Sequence, residues 1–158
     1  MASLGLINES NVDIIWQTGK YYYSEMLKRI EVMNCPTLQV HEFLSRMEYA
    51  YAVADLVISR AGAGTISELC LVGRPVVLVP SPNVAEDHQT KNAMALVEKG
   101  AALMIADADA KEKLFPASLQ LLSDIEKLNK MSENIVKLAK PNAATDIATI
   151  VIELALGK

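Results

Sequence analysis

The residues best suited to chemistry lie in the stretch "SRAGAGTISE", residues 59–68. Gly62 and Gly64 stand one residue apart between a run typical of a buried strand and a helix-like run. The free N–H groups and the positive dipole end of such a helix favour an anion such as a phosphate. Glycines would let that anion approach the backbone closely. A G-x-G turn alone is a weak signal, and a tight turn with close helix–strand packing is an equally good interpretation.

Glu68 has two interpretations from the residues alone. The spacing Thr65-x-x-Glu68 matches the capping box, in which the two side chains satisfy N–H groups at a helix start. The pattern by itself favours this cap. Alternatively, the carboxylate accepts hydrogen bonds from ribose hydroxyls, as acidic residues do in dinucleotide sites.

A second group of polar residues is found in "AEDHQTKNA", residues 85–93. On a helix Gln89 and Asn92 share a face, as do His88 and Asn92. Amide side chains carry both donors and acceptors, which suits the hydroxyls of a sugar. The pattern alone favours a capped helix whose polar residues face solvent. One histidine without a second ligand at metal spacing predicts no metal site.

The stretch "HEFLSRM", residues 41–47, offers a place for a planar base. Phe43, Leu44 and Met47 could flank the base while backbone groups read its edge. On sequence alone we favour the alternative, that these apolar residues close the core beneath a helix start. The tyrosines at 21–23 predict either helix packing or an interface.

These motifs follow β-like runs that alternate with helical ones. We predict strands at 12–18, 37–43, 55–59, 75–80 and 101–106, and helices at 21–34, 45–54 (with Ser45 as N-cap), 65–72, 86–100 and from 116 onward. This alternation indicates βαβ units and a parallel sheet with helices on both faces. Ligands bind such sheets where the carboxyl ends of the strands meet. All three motifs are therefore expected at that one edge.

Composition narrows the class of protein. The 158 residues suffice for one domain with a real core, and 51% of them are apolar. A net charge of −4 argues against a nucleic-acid partner. No run reaches the ~18 apolar residues that a membrane helix needs. Cys35 and Cys70 have no metal-type spacing and are expected to be free thiols.

Taken together, "SRAGAGTISE" and "DHQTKNA" resemble the donor-binding half of the bacterial MurG-type N-acetylglucosaminyltransferases. The resemblance is close over residues 12–105 and looser beyond. It implies the C-terminal half of a GT-B fold, a Rossmann-like doubly wound parallel sheet with helices on both faces. The whole chain, 1–158, would be a UDP-GlcNAc-binding domain that is truncated at its N-terminus, because "MASLGLINESN" reads as the tail of something longer.

The activity implied is transfer of N-acetylglucosamine from UDP-GlcNAc to lipid I, which yields lipid II for peptidoglycan. The family's acceptor-binding half supplies the catalytic histidine and the membrane-contacting patch and packs on the ligand edge. We therefore expect no catalytic residue, metal or cofactor in this chain, and an isolated domain that is soluble and inactive. The whole protein would lie peripherally on the cytoplasmic face of the inner membrane.

The resemblance also assigns binding residues, each by its match to a family motif. Leu44 would read the uracil through its backbone, with Phe43 and Met47 nearby, and Glu68 would bind the ribose. The diphosphate would lie against Gly62, Ala63, Gly64 and Thr65. Gln89 and Asn92 would bind the GlcNAc hydroxyls, and His88 stands where some relatives have glutamine.

Three other functions stay open on sequence. A UDP-GlcNAc 2-epimerase shares the fold and the donor but needs acid and base residues that are not found here. A stand-alone donor-binding subunit of a split transferase would begin natively at Met1. A regulatory nucleotide-binding module would bind UDP without discriminating among UDP-sugars.

Overall fold

The computed structural model describes residues 6, 7 and 9–157, and in these the predicted alternation of strands and helices is confirmed. The strands are β1 (Ile14–Gln17), β2 (Leu38–His41), β3 (Val57–Ser59), β4 (Val76–Leu78) and β5 (Leu103–Met104). The helices are α1 (Lys20–Met33), α2 (Met47–Val53), α3 (Ala63–Val72), α4 (His88–Val97), α5 (Asp107–Leu122), α6 (Ile125–Val136) and α7 (Ala143–Ala155), with a 3₁₀ turn at Ala85–Asp87 before α4.

All strand pairs are parallel, but they form two sheets and not the one expected. β1 pairs with β2, with Ile14 opposite Leu38, and β3, β4 and β5 form a separate sheet in that order. Within the described residues, β1, β2, β3 and β5 therefore each keep an unpaired edge. Ile15 and Ile58 are 42% and 46% exposed, although strands of parallel sheets are normally covered on both faces.

The core is built around β4, whose three residues are fully buried. Successive side chains of a strand point to opposite faces. Accordingly Val76 and Leu78 pack in a cluster with residues of α3, α4 and α6, whereas Val77 packs with residues of α5 and α6. Helices thus cover both faces at β4, which is the doubly wound arrangement that the sequence predicts.

Several helix starts differ from the prediction, and three of them have a clear local cause. α3 begins at Ala63 and not Thr65, because Gly62 is extended (φ −65°, ψ 148°) and its carbonyl accepts from Ile66 N at 2.9 Å. α2 begins at Met47 with Arg46 as N-cap, so Ser45 is not the cap. α5 begins at Asp107, nine residues before Pro116, with two aspartates in its first turn, where the helix dipole favours negative charge.

α7 stands apart from the core, and none of its residues is buried. The exposed apolar side chains of α7 and the residue after it are Ile147, Ile150, Val151, Ile152, Leu154 and Leu156. No helix in the described part of the chain has the length and apolar character needed to cross a bilayer.

Candidate functional site

The start of α3 presents backbone donors to the carboxyl edge of the sheet. Gly62 is the N-cap and no side chain caps the helix. The N–H groups of Ala63, Gly64 and Thr65 have no acceptor among the described residues. Free N–H groups and the positive dipole end make this turn, residues 60–65 and hereafter the glycine turn, able to bind an anion.

Neither a positive φ nor close packing explains the glycines at positions 62 and 64. Gly62 has a negative φ, and Gly64 is not among the positive-φ residues. A Cβ at Gly64 would meet nothing within 4 Å, and one at Gly62 would make only an ordinary 3.6 Å contact with Thr65 Oγ1. The tight-turn and close-packing interpretation is therefore wrong. A Cβ would fit at either position, so neither backbone conformation nor packing requires glycine there.

Glu68 does not form the predicted capping box. Because α3 begins at Ala63, Thr65 is the third helical residue and Glu68 lies in the second turn. The Glu68 carboxylate forms no hydrogen bond or ion pair with the described residues. Burial, and to a smaller extent the charge of Glu68, raise the pKa of the Tyr51 phenol. Glu68 is thus an unengaged carboxylate close to α2.

A cavity of about 470 Å³ lies between α2 and α3. Its lining residues are Met47, Glu48, Tyr51, Ala52, Glu68, Val72 and Arg74. The structure therefore brings Met47 and Glu68, predicted to bind the base and the ribose, to one concave surface. Its two acids differ, since Glu48 pairs with Arg46, which holds the Glu48 pKa below its usual range.

The loop between β2 and α2 places Phe43 and Leu44 differently. Phe43 is 74% exposed, so the expectation that it closes the core is wrong. Leu44 is half-buried, and its N–H donates to Gln17 Oε1 at 2.7 Å. The N–H of Leu44 is therefore already used within the fold. Sequence reasoning missed Gln17, whose only signal is its position at the end of β1.

α4 is attached to the glycine turn through two amide side chains. Gln89 Oε1 accepts from Ala61 N at 3.1 Å and from Ser81 N at 2.8 Å. Asn92 Nδ2 donates to Ala61 O at 3.0 Å. For these two residues the solvent-facing interpretation is wrong. His88 is exposed at the helix start, with its Nε2 3.6 Å from Glu86 Oε2.

Arg60 is a second residue that sequence reasoning missed. Its Nη1 donates to the carbonyls of Val79, at 3.2 Å, and Pro80, at 3.4 Å, and it pairs with Asp107. Arg60 thereby joins the ends of β3 and β4 to the start of α5. Its position directly after β3, at the carboxyl edge, was the available signal.

Two residues before α4 have left-handed backbones. Glu86 has φ 50° and Asp87 has φ 54°, a region that non-glycine residues seldom adopt. Such local strain concentrates at binding sites. In the described ranges 6–7 and 9–157, no group of three His, Cys, Asp or Glu side chains could hold a metal ion.

A Rossmann-like domain with free helical N–H groups, an unengaged carboxylate and two amide side chains in this region has the features of a domain that binds an anionic ligand at the carboxyl edge of its sheet. The model of the glycosyltransferase family 28 C-terminal domain matches residues 2–148. The chain belongs to this family.

Curated relatives are similar over nearly the whole chain. Proteins of Parabacteroides distasonis and Bacteroides thetaiotaomicron are each 54% identical, over 92% and 98% of this chain. Both are named UDP-N-acetylglucosamine–N-acetylmuramyl-(pentapeptide) pyrophosphoryl-undecaprenol N-acetylglucosamine transferase. The chain spans only 39% and 42% of their lengths.

A solved structure supports the fold. The crystal structure of Acinetobacter baumannii MurG has a TM-score of 0.80 and 26% identity, over 96% of this chain and 44% of that one. The resemblance to the MurG-type family and the Rossmann-like C-terminal half of a GT-B fold, both predicted from sequence, are confirmed.

Proposed function

We propose that this chain is the donor-binding domain of an enzyme that transfers N-acetylglucosamine from UDP-GlcNAc to the lipid-linked acceptor lipid I. The observation that carries the proposal is the glycine turn, which has free N–H groups and open space at Gly64 that nothing in the fold requires. The names of the two relatives, at 54% identity, support the donor and the acceptor class.

Each of the four parts of the donor is assigned to its own region of the site. The diphosphate would lie at Gly62, Ala63, Gly64 and Thr65, and the ribose at Glu68. The uracil would lie between Met47 and the loop that carries Phe43 and Leu44. The sugar would lie towards α4, near His88, Gln89 and Asn92, where Gln89 Nε2 and Asn92 Oδ1 have no hydrogen-bond partner among the described residues.

The chemistry that this arrangement supports is stabilisation of the leaving group. When the bond between the anomeric carbon and the diphosphate breaks, negative charge grows on the departing UDP. Donors that already point at that position stabilise the transition state without reorganisation. A further domain that packs on the ligand edge would bind the acceptor, supply the general base and contact the inner membrane.

The variant Gly64→Ala, compared with wild type, tests the proposal by calorimetric titration with UDP. Wild type is expected to bind UDP. Gly64→Ala adds a methyl group where the fold has space, and alanine favours a helix over glycine by about 1 kcal/mol. The melting temperature should therefore stay the same or rise while UDP affinity falls at least fivefold.

The result that overturns the proposal is a wild-type chain that binds no UDP. A Gly64→Ala variant that binds UDP like wild type would show that the diphosphate does not approach this backbone. Titration with UDP-GlcNAc and UDP-glucose separates the alternatives, because a regulatory module for UDP would not distinguish them.

A further inference from the structure

Two side chains of α4 hold the backbone of two different loops. Gln89 Oε1 lies between two donors, Ala61 N in the glycine turn and Ser81 N in the loop after β4. Asn92 Nδ2 reaches the carbonyl of the same Ala61. Both polar backbone groups of Ala61 are thus held by α4, and this residue directly precedes Gly62.

The partners fix the orientation of both amides. Backbone N–H groups can only donate, so the Gln89 atom between them must be its oxygen. A backbone carbonyl can only accept, so the Asn92 atom that faces it must be its nitrogen. The two residues therefore use opposite ends of the same functional group.

Burial makes the loss of these hydrogen bonds to Ala61 energetically costly. Ala61 is fully buried, and Gln89 and Asn92 are half-buried. A buried backbone group that loses its partner cannot turn to water and pays its desolvation cost. Removal of either amide therefore leaves a buried group of Ala61 unsatisfied immediately before the diphosphate turn.

We propose that Gln89 and Asn92 are positioning residues that hold the glycine turn in its anion-binding geometry, and so control affinity for the diphosphate as well as for the sugar. This rests on the proposed function and differs from the sequence-based assignment, which gave these residues sugar contacts only. Because Gln89 Nε2 and Asn92 Oδ1 remain available, a sugar hydroxyl bound there is linked to the diphosphate turn through a single side chain.

The first test uses amide hydrogen exchange in the chain without ligand. Gln89→Met keeps the length of the side chain but removes its acceptor, so exchange at Ala61 and Ser81 should be about tenfold faster. Gln89→Glu keeps an acceptor and should preserve the protection of both amides. Lys91→Met, an exposed position on the same helix, is the control and should change neither.

The acid substitutions should act in opposite directions at the two positions. Gln89→Glu retains the oxygen that the turn uses. Asn92→Asp replaces the nitrogen that the turn uses with an oxygen that faces the Ala61 carbonyl. In Asn92→Asp the Ala61 N–H keeps Gln89 Oε1 as its acceptor, so its exchange accelerates only if Asn92 holds the turn as a whole. We expect this acceleration in Asn92→Asp and not in Gln89→Glu, and equal exchange in the two variants would overturn the inference even if Gln89→Met fails to fold.

The second test is titration with UDP, which contains no sugar to contact. Gln89→Met and Asn92→Asp should each lose at least fivefold in UDP affinity, while Lys91→Met binds like wild type. If exchange is unchanged and only UDP-GlcNAc binding falls, the inference is overturned. If wild type binds no UDP, the proposed function fails and the exchange contrast alone decides whether the turn is held.

Discussion

Glu68 is the residue whose role the structure changes most. A capping acid would stabilise the fold, and its loss would cost about 1 kcal/mol. Because Glu68 caps nothing and has no bonded partner among the described residues, we expect both Glu68→Gln and Glu68→Ala to melt like wild type. Thermal unfolding followed by circular dichroism measures this directly.

The same variants test the ribose contact. Hydrogen bonds to a charged group contribute ~1.5–3 kcal/mol, so Glu68→Gln should weaken UDP at least tenfold. 2′-Deoxyuridine diphosphate should bind wild type more weakly than UDP does. The Glu68→Gln variant should bind the two nucleotides with equal affinity. Glu48→Gln is the matched control, since Glu48 lines the same cavity but is paired with Arg46. A Glu68→Gln variant with wild-type affinity for UDP would refute the ribose contact.

At the scale of elements, Gly73 joins the end of α3 to α6. It adopts φ 72°, and its N–H donates to Leu69 O at 3.0 Å in a left-handed helix end. A Cβ there would lie 2.6 Å from Val136 Cγ2. The left-handed backbone alone should make Gly73→Ala cost about 1–3 kcal/mol of folding stability, and the close approach to Val136 adds to this cost. For a chain of this size each kcal/mol lowers the melting temperature by about 2–4 °C.

A double variant separates the two causes. Val136 is half-exposed, so Val136→Ala alone should change stability little. Combined with Gly73→Ala, it should recover the part of the loss that comes from the clash and leave the part that comes from φ. No recovery would mean that α6 moves aside without cost. Gly64→Ala, at the other end of the same helix, is the contrasting glycine.

Local pattern predicted the elements well, because period and turn residues are properties of short segments. The alternation of strands and helices along the chain and the parallel pairing of the strands followed from it. The start of α3 did not, since Thr65-x-x-Glu68 imitates a capping box while Gly62 ends the strand earlier. Nor could composition reveal the divided sheet. Ile58 in β3 is as apolar as Val77 in β4, yet one is 46% exposed and the other fully buried.

Hydrogen bonds between residues far apart in the sequence could not be predicted either. Nothing near Gln89 indicates that its oxygen would lie between Ala61 and Ser81, which are 28 and 8 residues away. Leu44 and Gln17, joined across 27 residues, are a similar case. Motif matching proposes which residues belong to the site, but it cannot tell which of their atoms the fold already uses.

At the scale of the whole molecule, the surfaces that lack a partner among the described residues include the free edges of β1 and β3 and the apolar helix α7. The chain also spans only about two fifths of its curated relatives. We propose that the remaining part of a two-domain enzyme covers these surfaces, with a further parallel strand that pairs with β1 and β3.

The corresponding prediction concerns turnover. Incubated with UDP-GlcNAc and a soluble lipid I analogue, this chain alone should transfer no sugar, because the proposed function assigns acceptor binding and the general base to a further domain. A chimera should regain transfer if the part of the B. thetaiotaomicron relative that precedes the matched region is joined to this chain. Amide exchange at β1 and β3 should slow in that chimera, since their edges gain a strand. Glu68→Gln should abolish most of the regained activity.

Turnover by the isolated chain above a Glu68→Ala control would refute the two-domain proposal. A folded chimera with unchanged exchange at β1 and β3 would refute the inserted strand while leaving donor binding intact.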